Sequence, residues 1–274
     1  MIAPRSKARI AATPPDPAED SLYVQSVEKA FNVLNAFAGR ARMGLTEVAA
    51  ATGLDRSATQ RFLHTLERMG YLRKDPRTKQ FELTVRMLEL GRNYIAGSAL
   101  VERAQPYLLH LSRQTEEAVN LTVLDGTEIV YISRLLSRHA IAMNLSAGSR
   151  LPAYCTAPGI AILSRLPRAQ ALAILKRSNR RAYTPQTVTT LPALTAKIER
   201  AARRGYAVAC EEIYPSDISV AAAILGPSGE PVAAVNISIS RLRSTPKQAE
   251  ERFAPLVMGA AAAMSQAPPL ELSA

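Results

Sequence analysis

Apolar residues recur at three- and four-residue spacing through the first part of the chain, which predicts amphipathic helices. Three helices are predicted, from about Tyr23 to Gly39, from Thr46 to Ala51 and from Arg56 to Met69. Thr46 and Asp55 can accept hydrogen bonds from the free N–H groups that open the second and third helices. Gly53 and Gly70 suit the turns that end those two helices. The pattern therefore predicts two helices joined by a tight turn and preceded by another helix.

The next segment, YLRKDPRTKQFEL, predicts a hairpin. Tyr71–Lys74 and Gln80–Leu83 are predicted strands on either side of Asp75-Pro76-Arg77-Thr78, which has proline at the second position of the turn. After Thr84 the helical spacing returns, and Gly97 interrupts it.

The second half of the chain changes to runs typical of strands. Asp125-Gly126 in NLTVLDGTEIVYISRL predicts a hairpin, and the turn at 227–230 separates two late strands. A further strand is predicted at 140–146, and helices are predicted near 106–117, 157–165, 168–176, 190–204 and 246–266. This order of elements predicts an α/β or α+β chain whose sheet is largely antiparallel.

Charge favours a polyanionic partner. Thirty-four Lys and Arg residues stand against 23 Asp and Glu residues, a net charge of +11. One basic cluster is interpreted as a solvated face of two helices, with a contact to a second polyanion or to RNA polymerase as the alternative. Its members are Lys176, Arg177, Arg180, Arg181, Lys197, Arg200, Arg203 and Arg204.

The two cysteines lack metal-ligand spacing, and we expect them to be reduced thiols of a cytoplasmic protein. The N-terminal residues contain no apolar stretch of signal-peptide length, and no run approaches the roughly 20 apolar residues of a membrane span. Neither a phosphate-binding glycine loop nor a zinc-binding motif occurs. No membrane partner and no cofactor are expected.

The predicted helix at 56–69 carries an unusually donor-rich polar face. A polar outer face on a surface helix is the simplest interpretation, but here a tight turn precedes the helix and a basic hairpin follows it. A helix-turn-helix with a wing places one helix in the major groove, where arginine and glutamine read base edges. The predicted DNA-binding residues are Arg56, Ser57, Thr59, Gln60, Arg61, His64, Arg77 and Lys79.

An enzyme is the main alternative. Cys155 precedes a predicted helix, so a small-molecule-binding or hydrolytic α/β enzyme with a cysteine nucleophile would use this residue. The partner base would be one of three histidines, of which His64 lies on the donor-rich helix and His110 in an apolar-periodic helix. We therefore expect a structural or pocket-lining cysteine and no enzymatic activity. A binding module that takes no ligand is a third alternative.

Particular segments resemble a known family. SVEKAFNVLNAF, LTEVAAATGLDRSATQRFLHTLERMGYL, LSAGSRLPAYCTAPGIAIL and SVAAAILGPSGEPVAAVNIS resemble IclR-family transcriptional regulators over nearly the whole chain. The segment SRLPAYCT is most similar to the group of PcaR, PcaU and PobR types, which regulate aromatic catabolism. The resemblance implies a winged helix-turn-helix, a GAF-like effector domain and a homodimer or dimer of dimers on an operator. Together with the pattern along the chain, including four prolines in the first 21 residues, it predicts the divisions 1–21 (flexible tail), 22–90 (DNA-binding domain), 91–104 (linker helix) and 105–268 (effector-binding domain).

The same resemblance implies an effector pocket over the sheet. Its predicted residues are Met143 and Tyr154 as apolar wall, the backbone N–H groups of Ala157 and Gly159, and the side chains of Ser219, Asn236 and Ser238. The chain departs from the group at Pro158-Gly159-Ile160, where the group shows Met-Gly-Arg, and at Asp217-Ile218. The expected ligand is a small organic acid, aromatic before aliphatic. Because the arginine is missing, a dicarboxylate is not expected to bind better than a monocarboxylate.

Overall fold

The computed structural model describes residues 21–138 and 145–266. Its contacts separate a unit that ends at Tyr94 from a unit that begins at Ile95, a boundary inside the predicted linker segment. The predicted tail, apart from residue 21, and most of the predicted strand at 140–146 lie outside the described residues, as does Met143.

The first unit contains the three predicted helices and the predicted hairpin. Its elements are α1 (Gln25–Asn35), α2 (Leu45–Thr52), α3 (Arg56–Arg68), β1 (Leu72–Lys74), β2 (Phe81–Leu83) and the greater part of α4 (Met87–Ala96). Asp55 caps α3 as predicted, accepting a hydrogen bond from the N–H of Ala58 at 2.7 Å. The predicted cap of α2 is wrong: Gly44 precedes the helix, and the Glu47 carboxylate reaches back to its N–H at 2.6 Å.

The core of this unit forms where α1, α2, α3 and the hairpin meet, around Val33, Val48 and Leu63. Met43 pairs with Phe81 and adds an isolated bridge to the hairpin. Two residues of the predicted apolar face of α1, Val27 and Phe31, are about half exposed. The helical period therefore predicted α1 correctly, but it did not show which of the apolar residues of α1 are buried by other residues of this chain.

The second unit is built on one sheet. Its elements are α5 (Ala99–Thr115), β3 (Ala118–Asp125), β4 (Glu128–Leu135), β5 (Arg150–Pro152), a short 3-10 helix (Ala153–Cys155), α6 (Ala157–Leu163), α7 (Arg168–Arg177), α8 (Leu191–Arg204), β6 (Ala207–Cys210), β7 (Asp217–Leu225), β8 (Pro231–Ser240) and α9 (Pro246–Gln266). The predicted linker helix at 91–104 is not continuous. Gly97 and Ser98 separate α4 from α5, and the Ser98 hydroxyl accepts from the N–H of Val101 at 3.4 Å.

The six strands are antiparallel in the order β5-β4-β3-β8-β7-β6. The predicted α+β class with an antiparallel sheet is confirmed. Alternation along β8 places Val235, Ile237 and Ile239 against α5 and α9, and turns Asn236 and Ser238 to the opposite face. One face of the sheet is therefore apolar, and the face toward α6 carries polar side chains.

Helix α6 lies unusually close to the 3-10 helix before it. A Cβ added to Gly159 would stand 2.2 Å from the carbonyl oxygen of Ala153, so only glycine fits at this position. Thr156 caps α6 by accepting from the N–H of Gly159 at 3.3 Å. These contacts fix the start of α6 over the polar face of the sheet.

Across residues 21–138 and 145–266, the structure contains no helix that is both long enough and apolar enough to cross a membrane.

Candidate functional site

The exposed face of α3 is rich in hydrogen-bond donors. The exposed side chains on this helix include those of Arg56, Ser57, Gln60, Arg61, His64 and Arg68. Within the described part of the chain, neither Arg61 nor Arg68 forms an ion pair, including with Glu67. Arg56 donates to the Thr46 hydroxyl at 3.1 Å, which links the start of α3 to the start of α2. The donors are therefore largely free for an external partner.

One predicted DNA-binding residue does not lie on this face. Thr59 is fully buried, and its hydroxyl donates to the Asp55 carbonyl oxygen at 2.8 Å. A threonine inside a helix often makes this bond to the residue four positions earlier, which satisfies the hydroxyl internally. The buried residues of α3 are Thr59, Leu63 and Leu66, whereas Met69, at the end of the helix, is half exposed. The prediction for Thr59 is wrong.

Some basic residues of the hairpin contact other residues of the hairpin, and others are exposed at its tip. Arg73 pairs with Glu82, and Lys74 lies 5.3 Å from the centre of the Phe81 ring. Arg77 and Lys79, at the tip, are exposed and form no ion pair among the described residues. Asp75 shapes the tip by accepting from the N–H groups of Arg77 and Thr78 at 2.8 and 3.0 Å. Two cations are therefore held at the end of a fixed turn.

A pocket lies on the polar face of the sheet in the second unit. It is narrow, because a water-sized sphere can occupy only about 20 Å³ of it. Its wall includes the start of α6, the start of β7, the end of β8, Tyr131 of β4, Ala209 of β6 and the segment after β6. Leu145, Leu151 and Ile213 supply apolar surface. An apolar wall with a few polar groups is typical of sites for small organic ligands, and this pocket must widen to admit one.

A buried amide organises two hydroxyl groups at this pocket. The Asn236 side chain is fully buried and donates from Nδ2 to the Ser219 and Ser238 hydroxyl oxygens, at 3.0 and 3.2 Å. Each serine therefore accepts one hydrogen bond from Asn236 and keeps its own O–H as a donor. Ser219 and Ser238 both line the pocket, so their O–H groups can serve an acceptor there.

Of the other predicted pocket residues that the structure describes, only Ala157 is available to a ligand. Ala157 lines the pocket, but the N–H of Gly159 already bonds the Thr156 hydroxyl. Tyr154 is not part of the pocket wall. It is fully buried in the core against α6, and its hydroxyl donates to the Arg181 carbonyl oxygen at 2.5 Å. The predictions for Gly159 as a free donor and for Tyr154 as a wall are therefore wrong.

The sequence prediction missed several polar residues of this face. Asp217, Tyr131 and Tyr214 line the pocket, and Arg134 donates to the Asn120 carboxamide oxygen at 2.9 Å beside it. Asn120 pairs with Arg134 on one side and with Asn236 on the other, so the three form a row across β4, β3 and β8. In the sequence, Asn120 and Thr122 inside the otherwise apolar run AVNLTVL could have indicated that this face of β3 is polar.

Cys155 has the wrong environment for a nucleophile. Burial raises the pKa of its thiol to about 12, whereas reactive cysteines have a lowered pKa. In the described ranges, no cluster of three or more His, Cys, Asp or Glu residues is arranged to hold a metal ion.

Comparison with known proteins agrees with both halves of this architecture. Residues 26–76 match the IclR helix-turn-helix domain, and residues 92–266 match the bacterial transcriptional regulator IclR C-terminal family. The Pca regulon regulatory protein of Pseudomonas putida is 34% identical over 88% of this chain and 83% of its own length. The p-hydroxybenzoate hydroxylase transcriptional activator of Acinetobacter baylyi is 29% identical over 87% of this chain and 90% of its own.

A crystal structure of a transcriptional regulator from Rhodococcus sp. RHA1 is 36% identical and superposes with a TM-score of 0.78, covering 89% of this chain and 98% of that one. All these relatives are regulators, which disfavours the hydrolytic alternative at Cys155. The donor-rich α3 with its wing, the polar pocket over an antiparallel sheet and the two family matches lead to one conclusion: the chain belongs to the IclR family of bacterial DNA-binding transcriptional regulators.

Proposed function

We propose that the protein binds an operator through α3 and the hairpin tip, and that a small aromatic monocarboxylic acid in the sheet pocket changes its affinity for that operator. The observation that carries the ligand half is the pair of serine hydroxyls held by buried Asn236, which leaves two O–H donors for a carboxylate. As a DNA-binding regulator, the protein would act in the cytoplasm.

The proposed DNA contacts are of two kinds, contacts to base edges that recognise the sequence and contacts to phosphates that position the protein. We assign Arg56 and Gln60 to base edges, because arginine suits guanine and glutamine suits adenine in the major groove. Ser57 and Arg61 are assigned to phosphates near the start of α3, and His64 completes the set one turn further along. Arg77 and Lys79 contact the neighbouring backbone from the hairpin tip.

The ligand assignment rests on charge and surface. The ring would lie against Leu145, Leu151 and Ile213, with its carboxylate at Ser219 and Ser238 and the N–H of Ala157. Glu212 and Asp217 also line the pocket, so a second carboxylate on the ligand would meet like charge. A named relative activates a p-hydroxybenzoate hydroxylase gene, which supports an aromatic acid.

A second copy of the chain is the proposed protein partner, as a homodimer or a dimer of dimers. Val27 and Phe31 on α1 and Leu88 on α4 are each more than half exposed, a surface that a second copy can cover. Two-fold assembly also matches the two half-sites of a palindromic operator. A strictly monomeric species in light scattering at micromolar concentration would overturn this assembly.

The central experiment measures binding to DNA from the regions flanking the protein's own gene, by fluorescence anisotropy, with and without a panel of aromatic acids. Ligand-dependent thermal stabilisation of the same samples reports effector binding independently. Ser219→Ala and Ser238→Ala should weaken ligand binding and leave DNA binding intact, whereas Ser244→Ala, away from the pocket, should change neither. If no acid alters melting temperature or DNA affinity, the effector half of the proposal is wrong.

A further inference from the structure

Asp217, a partly exposed residue in the wall of the pocket, has one carboxylate oxygen that is buried without a hydrogen-bond partner. It stands at the start of β7, and no described group bonds its Oδ1, which is inaccessible to solvent. A buried charge without a donor is unfavourable, because the lost hydration is not replaced. An unsatisfied group of this kind inside a binding pocket is a position where a ligand can supply the missing donor.

The position of Asp217 relative to the serines constrains that donor. Side chains two residues apart on a strand share a face, with their Cα atoms roughly 7 Å apart. Asp217 and Ser219 have this relation on β7, and Ser219 lies opposite Ser238 on β8. A ligand whose carboxylate lies at the two serines therefore reaches Asp217 with its far end. On a benzene ring this corresponds to a meta or para substituent, since an ortho group lies beside the carboxylate.

We propose that Asp217 determines specificity in this pocket by accepting a hydrogen bond from a hydroxyl or amino group on the ring, so that acids carrying such a donor are preferred over the same acids without it. The inference rests on the proposed function, because it requires an aromatic acid at Ser219 and Ser238. It goes further in naming a second group on the ligand and the residue that recognises it.

The surroundings of Asp217 make this preference depend on pH. Burial raises the pKa of Asp217 to about 7, and Arg134 opposes that effect. The titratable and charged groups around Asp217 and the pocket are Tyr131 and Arg134 on β4, Glu212 and Tyr214 after β6, and Cys155 before α6. Glu212 is held by Lys197 of α8, in a nearly buried ion pair. Above pH 7 the ionised Asp217 can only accept hydrogen bonds, whereas below it the protonated carboxyl can also donate.

The test compares benzoate, 4-hydroxybenzoate and 4-aminobenzoate by calorimetry on the full chain at pH 6 and pH 8. Because a hydrogen bond to a charged group is the stronger kind, wild type at pH 8 should bind 4-hydroxybenzoate on the order of tenfold more tightly than benzoate. The preference should shrink at pH 6. In Asp217→Asn the ratio should fall to about twofold and become independent of pH, since a neutral amide is the weaker acceptor.

Asp125→Asn is the matched control, because Asp125 lies at the exposed end of β3 and outside the pocket wall. It should keep the wild-type preference. The 4-aminobenzoate arm separates the two donor types, and a gain with either supports the inference. If all three acids bind and Asp217→Asn retains the wild-type ratio, the inference is overturned and the proposed function stands. If no acid binds the wild type, both are overturned.

Discussion

At the scale of single residues, Asp217 also links the stability of the second unit to pH. Its pKa in the folded protein is about 7, above the ordinary value of 3.8, so the folded state holds the proton more tightly than the unfolded state. The protonated carboxyl therefore contributes most below pH 4, and that contribution is lost as the pH rises through 7. Asp217→Asn should stabilise the protein at pH 8 by on the order of 2 kcal/mol, and less at pH 5. Thermal unfolding at both pH values measures this, and an equal effect at the two would contradict it.

Gln60 and Lys79 provide a second prediction at this scale, because they are assigned different kinds of DNA contact. Gln60→Ala should cost about 1–3 kcal/mol at the operator and little on unrelated DNA, since only a base contact depends on sequence. Lys79→Ala should weaken both alike and reduce the dependence on salt. Anisotropy titrations with the two DNAs measure these losses.

Gln114→Ala and Lys247→Ala are the matched controls, as exposed residues on α5 and α9. If Gln60→Ala weakens binding to both DNAs equally, Gln60 does not contact a base edge.

At the scale of elements, two glycines inside helices test how α6 is placed. Alanine at Gly159 would force a Cβ within 2.2 Å of the Ala153 carbonyl oxygen, so α6 must move away from the 3-10 helix and from the pocket. Gly259, inside α9, has nothing within 4 Å of an added Cβ. Gly159→Ala should destabilise the protein by several kcal/mol, as expected for a clash with backbone inside a packed core. Gly259→Ala should instead stabilise it by up to about 1 kcal/mol.

Denaturant unfolding measures both changes. If Gly159→Ala folds with wild-type stability and binds the same acids, the close approach of α6 to the 3-10 helix does not position the pocket.

At the scale of the whole molecule, the location of charge matters more than its sum. The net charge of +11 is spread over both units, and several members of the cluster at 176–204 are already used within the chain. Arg204 pairs with Glu250 at 2.7 Å, Lys197 with Glu212, and the Arg181 guanidinium lies 4.5 Å from the centre of the Tyr183 ring. The interpretation as a second polyanion contact is therefore weakened.

Two substitutions with the same change of net charge separate location from total charge. Arg77→Glu should lower operator affinity strongly and flatten its dependence on salt, because it removes a cation beside the DNA backbone. Arg203→Glu, on an exposed position of α8, should leave affinity nearly unchanged at moderate salt. Binding titrations over a salt series measure both slopes. A comparable loss for Arg203→Glu would restore the cluster at 176–204 as a contact surface.

Local sequence patterns predicted most of the fold and part of the candidate site. The helical period, the Asp55 cap and the Asp75-Pro76 turn depend on neighbours in sequence, and they predicted the first unit well. Thr59 was misplaced because it was grouped with the polar residues by type, although helical spacing puts it on the same face as Leu63 and Leu66. Its hydroxyl is satisfied there by the Asp55 carbonyl oxygen. Ser219, Asn236 and Ser238 were predicted from the family resemblance, and the structure joins the three side chains by hydrogen bonds; their role with an effector stays a prediction.

The remainder of the pocket depends on contacts between distant strands. Asn120 meets Asn236 from the other half of the unit, and Arg134 reaches Asn120 only after the sheet has formed. No spacing along the chain encodes such a row. Likewise, nothing local distinguishes Tyr154, which packs as core, from a residue that lines the pocket.

The alternation of β3 has a consequence for how occupancy of the pocket becomes a signal. Asn120 faces the pocket side, while its neighbours Val119 and Leu121 pack among the residues beneath α5, including Leu108 and Leu111. Each peptide group is planar and stiff, so a displacement of the main chain at Asn120 moves both neighbours with it. The thickness of one strand therefore separates the face of β3 on the side of the proposed effector pocket from the residues that pack beneath α5. If a ligand binds in that pocket, its signal would need no relay of side chains, because a single strand faces the pocket on one side and α5 on the other.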